Sequence, residues 1–142
     1  MTEHVDAIWK FPIAASHRRA CEQSCVAAAN RCYAIGAHDL VLLQDTVATS
    51  RGPRVTSALW GCGGPTDNEA ASVAQELWGK PFAYLYWFTD VIPTVPMSLE
   101  DVPHLEGTYR AMGQQSAQRI LAVDAEEVLR ATGLDGRFTY TG

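Results

Sequence analysis

The sequence is short of charge. Asp, Glu, Lys and Arg make up 19% of its 142 residues, below the roughly 25% of an average soluble domain. A thinly charged surface suits one that is partly covered, so a protein partner or self-association into an oligomer is expected. The charge that is present leans acidic, with a formal net of −5. The basic residues are scattered, and their densest clusters are Arg18-Arg19 and the Arg51/Arg54 turn. Without a basic stripe, nucleic acid is excluded as a partner on this reading, and so is an anionic membrane surface.

Long apolar runs are also missing. The longest, from Phe82 to Phe88, is a strand's worth and too short to span a bilayer. The start, Met1-Thr2-Glu3-His4-Val5-Asp6, is acidic and lacks the apolar core of a signal peptide. A cytoplasmic location is therefore expected, with the four cysteines as free thiols rather than disulfides. No Cys-x-x-Cys knuckle occurs, and no Gly-Lys-Ser/Thr follows a glycine-rich loop. The run Trp60-Gly61-Cys62-Gly63-Gly64 is not a Nudix box either, because the Arg-Glu and Glu-Glu pairs that would bind metal are absent. No repeat, low-complexity tract or linker interrupts the chain, so residues 1–142 read as one domain.

What is there reads as α+β: a mostly antiparallel sheet with helices packed on it. Residues 5–13 alternate enough for a first strand, which Pro12 would keep at a sheet edge. The β-rich segments around Arg51-Gly52-Pro53 predict a hairpin over 40–60. The continuous apolar run predicts a strand over 82–89, buried on both faces at the sheet's centre. Helices are expected at about 17–34, 67–78 and 125–132. The second opens on Thr66-Asp67-Asn68-Glu69, a capping-box pattern, and stops at Gly79 and Pro81. Leu105, Tyr109 and Met112 share helical spacing, and a strand is expected at 137–141.

Two places carry residues fit for chemistry. On the first helix, His17, Cys21, Cys25 and Cys32 would share one inward stripe. Pairs at i and i+4 can chelate a soft ion, which makes His17, Cys21 and Cys25 the candidate metal ligands. Small buried filler against a sheet accounts for the same stripe. The second place is Cys62, flanked by Gly61, Gly63 and Gly64 just ahead of a helix N-terminus. Positive helix-end potential and open backbone N–H groups would favour a thiolate and an oxyanion there. A base for Cys62 would come from His38, His104 or His17, and Asp90 at the end of the 82–89 strand forms a further candidate acid–base pair with His104. A glycine turn with a buried thiol is the plainer account of the loop. Trp60, Trp78, Trp87, Tyr84 and Tyr86 can line a ligand pocket, although packing explains most of them.

No catalytic or metal-binding constellation is complete. The favoured reading is a non-catalytic binding or accessory subunit that takes a protein partner or a small molecule. The alternatives are a small enzyme with Cys62 as nucleophile and a metal-binding protein using His17, Cys21 and Cys25. The sequence names no particular cofactor, and Gly61, Gly63 and Gly64 are the positions at which one would be held.

Overall fold

In the computed structural model, which describes residues 2–46, 52–99, 102 and 116–142, the run Leu40-Val41-Leu42-Leu43 forms the middle of the main sheet. Side chains alternate across a strand. Leu40 and Leu42 therefore enter one core, while Val41 and Leu43 enter the other. Both faces are covered, and every residue of this strand, β4 (Asp39–Asp45), is buried.

The remaining strands are β1 (Glu3–Val5), β2 (Ala7–Ile13), β3 (Val26–Ala29), β5 (Val55–Trp60), β6 (Pro65–Thr66), β7 (Tyr84–Trp87), β8 (Asp90–Met97), β9 (Gln118–Arg119) and β10 (Phe138–Tyr140). The helices among the described residues are α1 (Arg18–Ser24), α2 (Ala70–Trp78) and α3 (Ala125–Ala131). The main sheet has the order β8-β5-β4-β2-β9, a second sheet is β3-β7-β6, and β1 pairs with β10. The protein is α+β as the sequence implies. The hairpin over 40–60 forms as β4 against β5, antiparallel.

Two pairings are parallel, β2 with β4 and β1 with β10. A parallel pair needs a crossover, and here α1 and β3 supply it. That crossover corrects the expected 17–34 helix. The helix stops at Ser24, and Cys25 adopts a left-handed backbone with φ of 51°. Val26-Ala27-Ala28-Ala29 then pairs in register with Trp87, Tyr86, Leu85 and Tyr84. Alanine favours helix locally, but cross-strand pairing and burial prevail.

The 82–89 strand is corrected in place rather than in kind. It forms as β7, central to the second sheet and not to the main one. Its alternation packs Leu85 toward α2 and Tyr86 toward the main sheet. The capping box is not formed. Thr66 belongs to β6, and α2 starts from Glu69 in a left-handed conformation with no side-chain cap. The helical spacing at Leu105, Tyr109 and Met112 lies outside the described residues.

The layers run in sequence. α3, β1 and β10 cover one face of the main sheet. The second sheet covers the other face, with Cys21, Ala27, Cys62 and Tyr86 in the shared core. α2 closes the far side of that second sheet through Ala70 and Ala74. No helix among the described residues is long and apolar enough to cross a membrane.

Candidate functional site

A cleft of about 620 Å³ opens where the main sheet and the second sheet diverge. Its floor is Phe11 and Ile13 of β2, with Cys21 of α1 and Ala28 and Ala29 of β3. β3 is an edge strand of its sheet. β2 is paired on its outer side by β9 only at Trp9 and Lys10, so Pro12 lies beyond the end of that pairing. Two strand edges thus face the same space. Pro12 has no N–H to leave unpaired there.

One wall is aromatic. Trp78, the last residue of α2, meets Phe82 edge-on at 5.8 Å between ring centroids. The His17 imidazole sits 6.1 Å from the Trp78 ring and 6.4 Å from the Phe82 ring. The Trp78 indole N–H donates to the His17 carbonyl at 3.3 Å, which ties the end of α2 to the start of α1. Arg18 fixes that same corner from below. Its guanidinium donates to Asp45 Oδ1 through Nε at 3.0 Å and Nη2 at 2.5 Å. It also reaches Ser57 Oγ and the carbonyls of Leu43 and Arg54.

Cations rim the opening. Lys80 Nζ lies 5.3 Å from the Phe82 ring, and the exposed Arg31 follows β3. Burial, with Lys80 adding to it, holds the His17 imidazole below its usual pKa. No carboxylate is among the described residues that line the cleft. Asn30 and Tyr33 complete the polar rim. Asn30 Oδ1 accepts from the Ala83 N–H at 3.1 Å, and Tyr33 Oη accepts from the Ala117 N–H at 3.0 Å.

The residues singled out from sequence fall differently. His17 and Cys21 both line the cleft, but Cys25 has left the helix, and the stripe that would chelate an ion is broken. Among the described residues no three His, Cys, Asp or Glu side chains group closely enough to hold a metal. Burial pushes the Cys21 thiol up to about 12, against the opposing pull of Arg18. Cys32 is exposed on the loop after β3.

Cys62 is buried, and desolvation raises its thiol pKa. Its Sγ accepts from the Gly64 N–H at 3.3 Å. The Gly63 N–H donates to the Trp87 carbonyl at 3.0 Å, so that amide stitches the loop to β7, while the Gly64 amide is taken by the sulfur. Gly61 has φ of 82°, and a Cβ there would collide with the Thr89 hydroxyl, so close packing accounts for that glycine. Asp90 begins β8 and forms an exposed ion pair with Arg137 at 2.8 Å. His104 lies outside the described residues.

The sequence reading passed over Lys80, Phe82, Asn30 and Arg31, and left Trp78 as packing. A signal was present in Trp78-Gly79-Lys80-Pro81-Phe82, where aromatic and basic residues interleave directly after a helix stop.

Comparison places the fold. No family model and no curated protein matches the chain. Solved structures do match. ASCH from Zymomonas mobilis superposes with a TM-score of 0.63 at 11% identity, covering 93% of this chain and 98% of that one. A serine-to-alanine variant of that protein gives a TM-score of 0.65 at 10% identity, over 88% of this chain and 96% of the other. A tyrosine-to-phenylalanine variant gives 0.62 at 13%, over 88% and 98%. At such identities the likeness is one of fold.

It also corrects an expectation. The solved structures that share this fold are ASCH proteins, and exclusion of nucleic acid on net charge alone does not stand. The sum of −5 is taken over the whole chain. The cleft, with Arg31 and Lys80 and no described carboxylate, carries the opposite sign locally.

Proposed function

We propose that this chain is a binding module for single-stranded nucleic acid, RNA in the first instance, and that the ligand enters the cleft between β2 and β3. The observation that carries this reading is the lining itself. An aromatic wall of Trp78 and Phe82 stands beside Lys80 and Arg31, with no described carboxylate to repel phosphate. Every base has a π-face, and stacking on aromatic side chains is worth about 1–3 kcal/mol per base. Lysine and arginine at the rim then neutralise the backbone. About 620 Å³ is room for one nucleotide, inside the roughly 300–1,000 Å³ of small-ligand sites. A base must leave its stack to enter, which favours single strands over duplex. The shared fold with ASCH supports the same reading.

The test is fluorescence anisotropy with a labelled single-stranded RNA and its duplex, each across a salt series. Single strands should bind more tightly. Two phosphate contacts, from Lys80 and Arg31, should give a log–log salt slope of about −1.4. Absence of binding, or equal affinity for duplex, overturns the proposal.

A further inference from the structure

Asn30 stands at the mouth of the cleft with its amide orientation fixed. The Ala83 backbone N–H can only donate, so the amide oxygen must be the atom that meets it at 3.1 Å. The Nδ2 group is left as a donor, and Asn30 lines the cavity. Tyr33, three residues further on, is fixed in the same sense. Its Oη accepts from the Ala117 N–H at 3.0 Å, and its own proton remains to donate. Lys80 and Arg31 have no acceptor to offer. Asn30 and Tyr33, the two rim side chains whose acceptor atoms are occupied in this way, therefore each keep a donor for a ligand.

A donor-rich site recognises a ligand by its acceptors. We propose that Asn30 is a specificity-determining residue that selects bases by the acceptors on their pairing edge, so that uracil, whose two carbonyls flank that edge, is preferred over adenine, which offers one ring nitrogen, N1, beside an amino donor. This rests on the cleft being a nucleotide site. Stacking alone predicts the reverse order, because the larger purine covers more of Trp78 and Phe82. A uracil preference thus reports hydrogen bonding and not surface area.

The test uses the full chain, labelled oligouridylate and labelled oligoadenylate, and Asn30→Asp. Aspartate keeps an oxygen on the Ala83 N–H and replaces the Nδ2 donor with an acceptor. The ratio of the two affinities should fall by about tenfold in Asn30→Asp, the scale of one lost base contact. The added negative charge weakens both ligands alike and cancels in the ratio. Asn30→Ala, which removes the donor without adding charge, should move the ratio in the same direction with the thermal melt as a check on folding. An unchanged ratio with uniformly weaker binding makes Asn30 a phosphate contact and overturns this inference alone. If the unaltered protein binds neither oligonucleotide, the nucleotide reading of the cleft falls, and this inference with it.

Discussion

Tyr86 holds the loop that carries Arg31. Its hydroxyl donates to the Arg31 carbonyl at 2.9 Å and accepts from the Tyr33 N–H at 2.6 Å. The ring is fully buried between the two sheets, and burial pushes the phenol up to about 12. A neutral core hydroxyl thus fixes two rim residues of the cleft. The rim is presented from the core outward, and this has measurable consequences.

Stacking and charge should separate in variants of the cleft wall. Trp78→Leu keeps apolar volume but removes the indole face. It should weaken RNA binding by about 1–3 kcal/mol with little change in salt slope. Lys80→Ala should weaken binding and make the salt slope shallower by about 0.7. Anisotropy titrations at several salt concentrations decide this. Identical effects of the two substitutions on the slope would mean that the wall and the rim do not have these distinct roles.

His17 gives the cleft a pH dependence with a definite sign. Burial and then Lys80 lower its pKa, so the imidazole of the free protein is uncharged at neutral pH. It takes up a proton only below its ordinary value, and a bound phosphate rewards that charge. Affinity for oligouridylate, whose phosphodiesters do not titrate there, should rise as pH falls from 7 toward 5. His17→Gln should abolish the rise. The same sign makes the free fold lose stability as pH drops through this window. A rise that survives in His17→Gln would assign it to another group.

The thiols should differ sharply in reactivity. Cys32 is exposed, whereas Cys21 and Cys62 are buried with raised pKa values. Thiolate is the reactive form. Native-state labelling followed by peptide mass spectrometry should modify Cys32 early and leave Cys21 and Cys62 until unfolding. Rapid labelling of Cys62 at neutral pH would return that residue to consideration as a nucleophile.

Lys10 offers a test of the core. It is fully buried on β2, and burial, with Arg54 adding to it, lowers its pKa to about 8. The folded state therefore sheds this proton before the unfolded state does. Stability from this source is complete above the ordinary lysine value of 10.5 and is lost as pH falls through about 8. The melting temperature of the native protein, relative to Lys10→Met, should climb between those two values. A constant difference would contradict the burial argument.

The sequence made some of this legible. The 40–60 hairpin could be read because two apolar segments flank a glycine–proline turn. α3 could be read because Asp124 with Glu127 three residues on signals a helix start and Gly133 a stop. β3 could not be read, since Val26-Ala27-Ala28-Ala29 continues a helical stretch, and only Trp87 to Tyr84, about sixty residues on, turns it into a strand. The Thr66 cap failed for a related reason, because Thr66 is drawn into β6 against Leu85. The cleft was hidden because Phe11, Asn30 and Trp78 come from distant parts of the chain. Net charge concealed it further, since a sum over all residues carries no information about where the cations gather.

The most direct measurement is a backbone and side-chain NMR titration of the protein with oligouridylate. The account predicts shifts concentrated at the Trp78 indole, the Asn30 side-chain amide, His17 and Lys80, saturating together. Saturable shifts mapping to α3 or β8 instead, or no shifts at RNA concentrations that saturate other single-strand binders, would contradict it.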